Sequence, residues 1–189
     1  MELLKKRILS EGRVMGEDVL KVDMFLNHQI DVGLLGEIGK EFHTRFAGKN
    51  INKILTVEAS GIGIACITAQ QFSVPVVFAK KGYNRNVGND IFLSDVFSFT
   101  KGVNTKIGVS RSFIGPNDRV LIIDDFLANG EAVNGLIGIL NQAGATLCGV
   151  GIVIEKAYQK GGRLLREKGV DIQSLVIIKS MKGGKIEFV

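Results

Sequence analysis

Asp124 and Asp125 stand side by side where an apolar run, residues 120–123, stops, and a short loop of small and amide residues, Ala128-Asn129-Gly130, follows. Beyond it Val133, Leu136, Ile137 and Leu140 recur at helical spacing. A buried strand passing through such a loop into a helix leaves free backbone N–H groups at the helix start, where a phosphate can bind. Two carboxylates at the strand's end add acceptors for sugar hydroxyls or oxygen ligands for a hard divalent cation. Phosphate, diol and Mg²⁺ converging on one place point to a phosphorylated ribose. A plainer reading is a core strand with a hairpin turn at Asn129-Gly130; the helical period after the turn favours the first. Upstream the pattern occurs once more: residues 53–57 read as a strand, Glu58-Ala59-Ser60-Gly61-Ile62-Gly63 as a loop, and a helix runs on to about residue 72. This is a second anion site with Ala59, Ser60 and Gly61 as candidates, or an ordinary strand–helix turn.

The formal charge of +5 would suit nucleic acid, but its distribution argues for something smaller. Between Lys80 and Arg111 six basic side chains stand against two acids, so nearly all the excess lies in one segment. That suits a polyphosphate ligand at least as well as a duplex. Cys66 and Cys148 sit in apolar runs and read as buried small hydrophobes in a reducing compartment, and no spacing suggests a metal knuckle. The first twelve residues interleave charge with apolar side chains and lack a signal-peptide core, and no apolar run is long enough to span a bilayer. The expectation is a single domain, residues 1–189, with a full hydrophobic core, in the cytoplasm, with no nucleic-acid or membrane partner.

The stretch 120–133 resembles the signature of the type I phosphoribosyltransferases, which bind 5-phosphoribosyl diphosphate (PRPP) through a strand, an acidic pair and a loop of the form Ala-Thr-Gly-Gly-Thr. Here the loop reads Ala128-Asn129-Gly130-Glu131-Ala132. Asn129 replaces the first Thr and Ala132 the last, which removes a hydroxyl contact to the 5′-phosphate but leaves an amide and the backbone N–H groups. The variant loop, the opening of the chain and its length are most similar to bacterial members of the family that act on xanthine, over nearly all of the chain.

The resemblance implies a doubly wound, mainly parallel α/β sheet flanked by helices, with an N-terminal hood (residues 1–30) and a flexible basic β-hairpin loop (residues 80–111) closing over the reacting centre. It implies catalytic carboxylates Asp124 and Asp125 beneath the ribose, a 5′-phosphate cradle at Ala128, Asn129, Gly130, Glu131 and Ala132, and pyrophosphate contacts from Ala59, Ser60, Gly61 and Lys81. Lys81 would act in its own or a neighbouring subunit. Leu20, Asn27 and Lys156 match positions that touch the base. Mg²⁺ would accompany PRPP, with no protein metal ligand assigned, and the chain would form a homodimer with xanthine and PRPP as substrates. The same reaction on hypoxanthine, guanine or adenine is the nearest alternative, and a non-enzymatic PRPP-sensing regulator is another.

The elements that must position these groups can be read in order. Residues 2–11 form a short amphipathic helix with Leu4 and Ile8 on one face, closed by Gly12. Residues 19–22 are a strand, and residues 25–29 a loop packed on the core. Asp31 caps a helix with the stripe Val32, Leu35, Ile38, Phe42 and Phe46. Strands follow at residues 75–79 and 105–111, around a hairpin. Residues 147–154 are an uninterrupted apolar strand covered on both faces. An amphipathic helix at residues 158–168, a strand at 174–178 and a tail that pairs at an edge or a subunit contact complete the chain.

Overall fold

The computed structural model describes residues 1–82, 90–98 and 103–189. In chain order its elements are α1 (Glu2–Glu11), β1 (Arg13–Met15), β2 (Val19–Lys21), a π-helical turn (Asp23–Asn27), α2 (Val32–Arg45), β3 (Lys53–Val57), α3 (Ser60–Phe72), β4 (Val76–Lys81), β5 (Ile91–Ser98), β6 (Val103–Ser110), β7 (Arg119–Leu127), α4 (Glu131–Ala143), β8 (Thr146–Lys156), α5 (Gly161–Glu167), β9 (Ile172–Ser180), a 3-10 turn (Lys182–Gly184) and β10 (Glu187–Phe188). Strands β4, β3, β7, β8 and β9 run parallel, and β6, β5 and β10 add antiparallel pairings at the two ends of the order β10-β9-β8-β7-β3-β4-β6-β5.

Alternation along β7 feeds two cores at once. Leu121 and Ile123 join one under α1, α2 and α3, while Val120 and Ile122 join the other with Val133, Leu136 and Leu140 of α4. Each such side chain taken fully out of water is worth about 1.5–3 kcal/mol. The sheet therefore sits between helical layers. The crossover from β3 through α3 goes to β4 and that from β7 through α4 goes to β8, so adjacent strands β3 and β7 send their chains to opposite sides. The crevice outside two such strand ends is where open α/β sheets hold ligands.

Several local expectations change. The strand through residue 123 continues to Leu127, because Asp124, Phe126 and Leu127 go on pairing with Ile152, Ile154 and Glu155. The stretch read as a loop at residues 25–29 begins inside the π-helical turn, whose Phe25 and Leu26 are fully buried. The helix expected at 158–168 shortens to Gly161–Glu167. Gly12 does close α1, but in extended backbone; its N–H meets the Ile8 carbonyl, and a Cβ there would lie 2.4 Å from that oxygen. The Asp31 cap holds, its carboxylate accepting the Leu34 N–H at 3.0 Å, yet Val32 lies 64% exposed and off the buried stripe. Cys66 is exposed and Cys148 half-buried, so neither is the core residue its apolar neighbours implied. Both thiols are free. The tail pairs with β9 at the sheet edge. Strands β5 and β6 form the expected hairpin from Ile91↔Ser110 to Ser98↔Val103. Of the basic loop, residues 83–89 and 99–102, with Arg85 and Lys101, lie outside the described residues. None of the described helices is long and apolar enough to cross a membrane.

Candidate active site

Strand β7 carries the acidic pair to the C-terminal edge of the sheet. Asp124 is 4% exposed and Asp125 9%, so both carboxylates lie largely out of water. Asp124 Oδ1 accepts the Asp125 N–H at 3.0 Å, and Asp125 Oδ1 accepts the Phe126 N–H at 2.9 Å. Burial, reinforced by the Asp125 charge beside it, pushes the Asp124 carboxyl well above the usual aspartate range, with the Lys81 ammonium pulling the other way. A buried carboxyl of this kind is stabilised by positive charge placed against it.

Past Leu127 the chain turns through Ala128-Asn129-Gly130 into α4. Gly130 is left-handed at φ 85°, a conformation glycine enters without a Cβ penalty, and α4 starts with no side-chain cap. Its carbonyl accepts both the backbone N–H and the side-chain amide of Asn134, each at 2.9 Å. Ala128, Asn129, Gly130, Glu131 and Ala132 all line a cleft of about 900 Å³, with Lys81 and Lys156 on its other walls. A helix start without a side-chain cap leaves backbone N–H groups at this end of the cleft, an arrangement at which anions bind.

The second loop stands beside it on β3. The Glu58–Ala59 peptide is cis, and α3 begins at Ser60, again with no side-chain cap. Gly61 packs over β3: a Cβ there would lie 2.0 Å from Thr56 Oγ1 and 3.3 Å from Asp124 Oδ1. Gly61 thus brings the start of α3 against Asp124. Glu58 Oε1 accepts the Lys81 N–H at 2.6 Å, which ties this loop to the end of β4, where the basic segment starts.

On the hood side the predicted contact residues separate. Asn27, ending the π-helical turn, donates its amide to Asp125 Oδ2 at 3.3 Å, so hood and acidic pair touch directly. Leu20 is 6% exposed and belongs to the core, whereas its neighbours Asp18 and Val19 line the cleft. Lys156, at the end of β8, donates to the Asp18 carbonyl and lies 5.5 Å from the centre of the Phe126 ring. Burial lowers its pKa, against the opposing pull of Asp18. Phe126 and Gln159 also line the cleft and carry no signal at the sequence level: Phe126 falls beyond the strand expected to stop at residue 123, and Gln159 reads as part of a helix. Glu58 likewise looked like an ordinary charged turn residue.

Among the described residues no cluster of three or more His, Cys, Asp and Glu side chains could hold a metal ion. The two adjacent carboxylates suit an Mg²⁺ that keeps water and substrate oxygens as most of its ligands.

The model of the phosphoribosyl transferase domain matches residues 21–185. Over its full length the chain is 62% identical to the xanthine phosphoribosyltransferase of Ruminiclostridium cellulolyticum and 62% identical to that of Clostridium novyi, covering 99% of each. Among solved structures it is similar to adenine phosphoribosyltransferase of Giardia lamblia complexed with 9-deazaadenine (TM-score 0.75, 18% identity, 92% of this chain and 97% of that one). It is also similar to adenine phosphoribosyltransferase of Trypanosoma brucei in complex with AMP, pyrophosphate and ribose-5-phosphate (TM-score 0.74, 21% identity, 92% and 79%). The family match over residues 21–185 and the full-length identities show that the chain belongs to the type I phosphoribosyltransferases, alongside the proteins named xanthine phosphoribosyltransferase.

Proposed function

We propose that the protein is a xanthine phosphoribosyltransferase, converting xanthine and PRPP to xanthosine 5′-monophosphate and pyrophosphate in purine salvage. Full-length identity of 62% to proteins of that name carries the reading, and the geometry of the β7 edge supports it. Xanthine N9 forms a bond to C1 of the ribose as the bond from C1 to pyrophosphate breaks, and the N9 proton leaves with the solvent. Breaking runs ahead of making, so positive charge builds on the ribose. Asp124 and Asp125 beneath the sugar hold the 2′ and 3′ hydroxyls and stabilise that charge. Residues 128–132 bind the 5′-phosphate through their N–H groups, and Ala59, Ser60, Gly61 and Lys81 receive the pyrophosphate. Bound with PRPP, Mg²⁺ would supply charge neutralisation on the departing oxygens, with the acidic pair and substrate oxygens as its ligands. Lys156, half-buried beside Phe126, donates to a xanthine oxo group or stabilises the deprotonated base, and Asn27 offers a donor and an acceptor to the purine edge. A homodimer in the cytoplasm is part of this reading; sedimentation at working concentration checks the first.

The test is a direct assay of xanthine, hypoxanthine, guanine and adenine with PRPP and Mg²⁺. Xanthine should give the highest kcat/KM. Turnover of another base with xanthine inert would overturn the substrate assignment, and no turnover with any base would overturn the reaction.

A further inference from the structure

A loop that turns its N–H groups toward a ligand turns its carbonyls away from it, and those carbonyls need donors behind. Behind Ala128 stands Gly161, the first residue of α5, whose N–H donates to the Ala128 carbonyl at 3.0 Å. The two backbones are in direct contact. A Cβ on Gly161 would lie 2.5 Å from the Ala128 oxygen and the Gly130 nitrogen, and one on Gly130 would lie 3.2 Å from Gly161 Cα. No flexible side chain stands between them to yield.

Helix α5 is too short to hold itself in place. Its anchor is Arg166, whose Nη1 and Nη2 donate to Glu155 Oε1 and Oε2 at 2.6 and 2.7 Å. Glu155 is 3% exposed and also accepts the Ser174 hydroxyl from β9. Burial works against the charged Glu155, but the Arg166 and Ser174 hydrogen bonds prevail and leave its carboxyl below the usual value. Gly162 lies against the same carboxylate, since a Cβ there would sit 2.1 Å from Oε1. In the sheet Glu155 pairs with Leu127, the last strand residue before the loop, and it directly precedes Lys156.

We propose that Gly161, anchored through Arg166 to Glu155, is a positioning residue that fixes the backbone of residues 128–132 in the shape that receives a 5′-phosphate. The inference rests on the reading of that loop as the phosphate cradle.

The full-length protein, wild type and variant, is titrated with xanthosine 5′-monophosphate and with xanthosine, and kcat and both KM values are measured. Wild type should bind the nucleotide about tenfold or more tighter than the nucleoside. Gly161→Ala should raise the nucleotide Kd and the PRPP KM by about tenfold or more while the xanthine KM stays within about twofold. Arg166→Gln, which keeps one donor to Glu155, should shift the same constants by about three- to tenfold and decides the matter if Gly161→Ala does not fold. A purely structural role would reduce the active fraction, lowering kcat with both KM values unchanged, and that result overturns the proposal. So does a wild-type preference for the nucleotide that persists undiminished in the variants. Equal binding of nucleotide and nucleoside by wild type would instead sink the phosphate-cradle reading, and this inference with it.

Discussion

The β3–α3 and β7–α4 junctions are built to one plan and supported in two ways. Each takes a buried parallel strand through small residues into a helix with no side-chain cap. The first is braced by side chains: Thr56 Oγ1 lies under Gly61, and the Glu58 carboxylate holds the Lys81 N–H. The second is braced by backbone, with Gly130 left-handed against Gly161. A side-chain brace can be trimmed or moved with its segment, whereas the Gly130–Gly161 backbone contact has no side chain to trim and yields only through the groups behind it, such as the Arg166–Glu155 pair. This matches the tasks proposed for them, since pyrophosphate departs and the 5′-phosphate stays.

The acidic pair belongs to the second junction alone, and removing its charge is the sharpest test of the asymmetry. Asp125→Asn should lower kcat/KM by about 10²–10³ with little change in Tm. Asp124→Asn should cost comparable activity yet raise Tm at neutral pH. The Asp124 carboxyl titrates above its unfolded value, so its charged form is disfavoured in the fold, and stability falls as pH rises from the ordinary aspartate range through the folded value. Wild-type activity in Asp125→Asn with an intact fold would remove the catalytic role.

Glu155→Gln attacks the backing of the same junction. It should cost about 2–3 kcal/mol by chemical denaturation, less than a fully buried pair, because the Arg166 side chain is 40% exposed. The Glu155 carboxyl sits below its usual value, so its contribution is complete above the ordinary glutamate range and is lost as pH falls through the lower folded value. The variant's Tm should therefore fall less than wild type's between about pH 5 and pH 3.

Comparing the glycines separates the two kinds of support directly. Gly61→Ala should destabilise by about 1–3 kcal/mol, and adding Thr56→Ala should recover much of that, because the clash is with a side-chain oxygen. Gly130→Ala should cost about 1–2 kcal/mol from its positive φ, with no single truncation that restores it. Additive behaviour of Thr56→Ala and Gly61→Ala would erase the distinction.

The smallest effect lies outside both junctions. Lys156→Ala should raise the xanthine KM about tenfold and leave the PRPP KM nearly unchanged. A selective loss of PRPP binding would move Lys156 from the base side to the phosphate side.

What could be read from the chain alone follows from periodicity and burial. Residues 147–154 announce a strand covered on both faces, and Asp31 announces a helix start, because each signal is local. The acidic pair and both loops stood out for the same reason. The π-helical turn had no such signal, since a single i→i+5 turn leaves no repeating apolar pattern. Helix α5 looked longer because Tyr158 and Gln159 fit its period, yet the chain must first bring Gly161 against Ala128. Contacts across many residues were the least legible: nothing near Asn27 points to a carboxylate 98 positions later, and nothing near Glu58 to the Lys81 backbone. Cys66 reads as buried because residues 62–67 around it are all apolar, and composition cannot say which side of α3 faces outward.

That outward thiol has a practical use. Cys66 lies six residues past Ser60, about 9 Å along the α3 axis from the loop at its start. Cys148 is half-buried, and burial pushes its thiol pKa up, so it reacts slowly with alkylating reagents. A maleimide dye should therefore attach at one position without further mutagenesis, giving an optical reporter on the helix that leads away from the Ala59-Ser60-Gly61 loop.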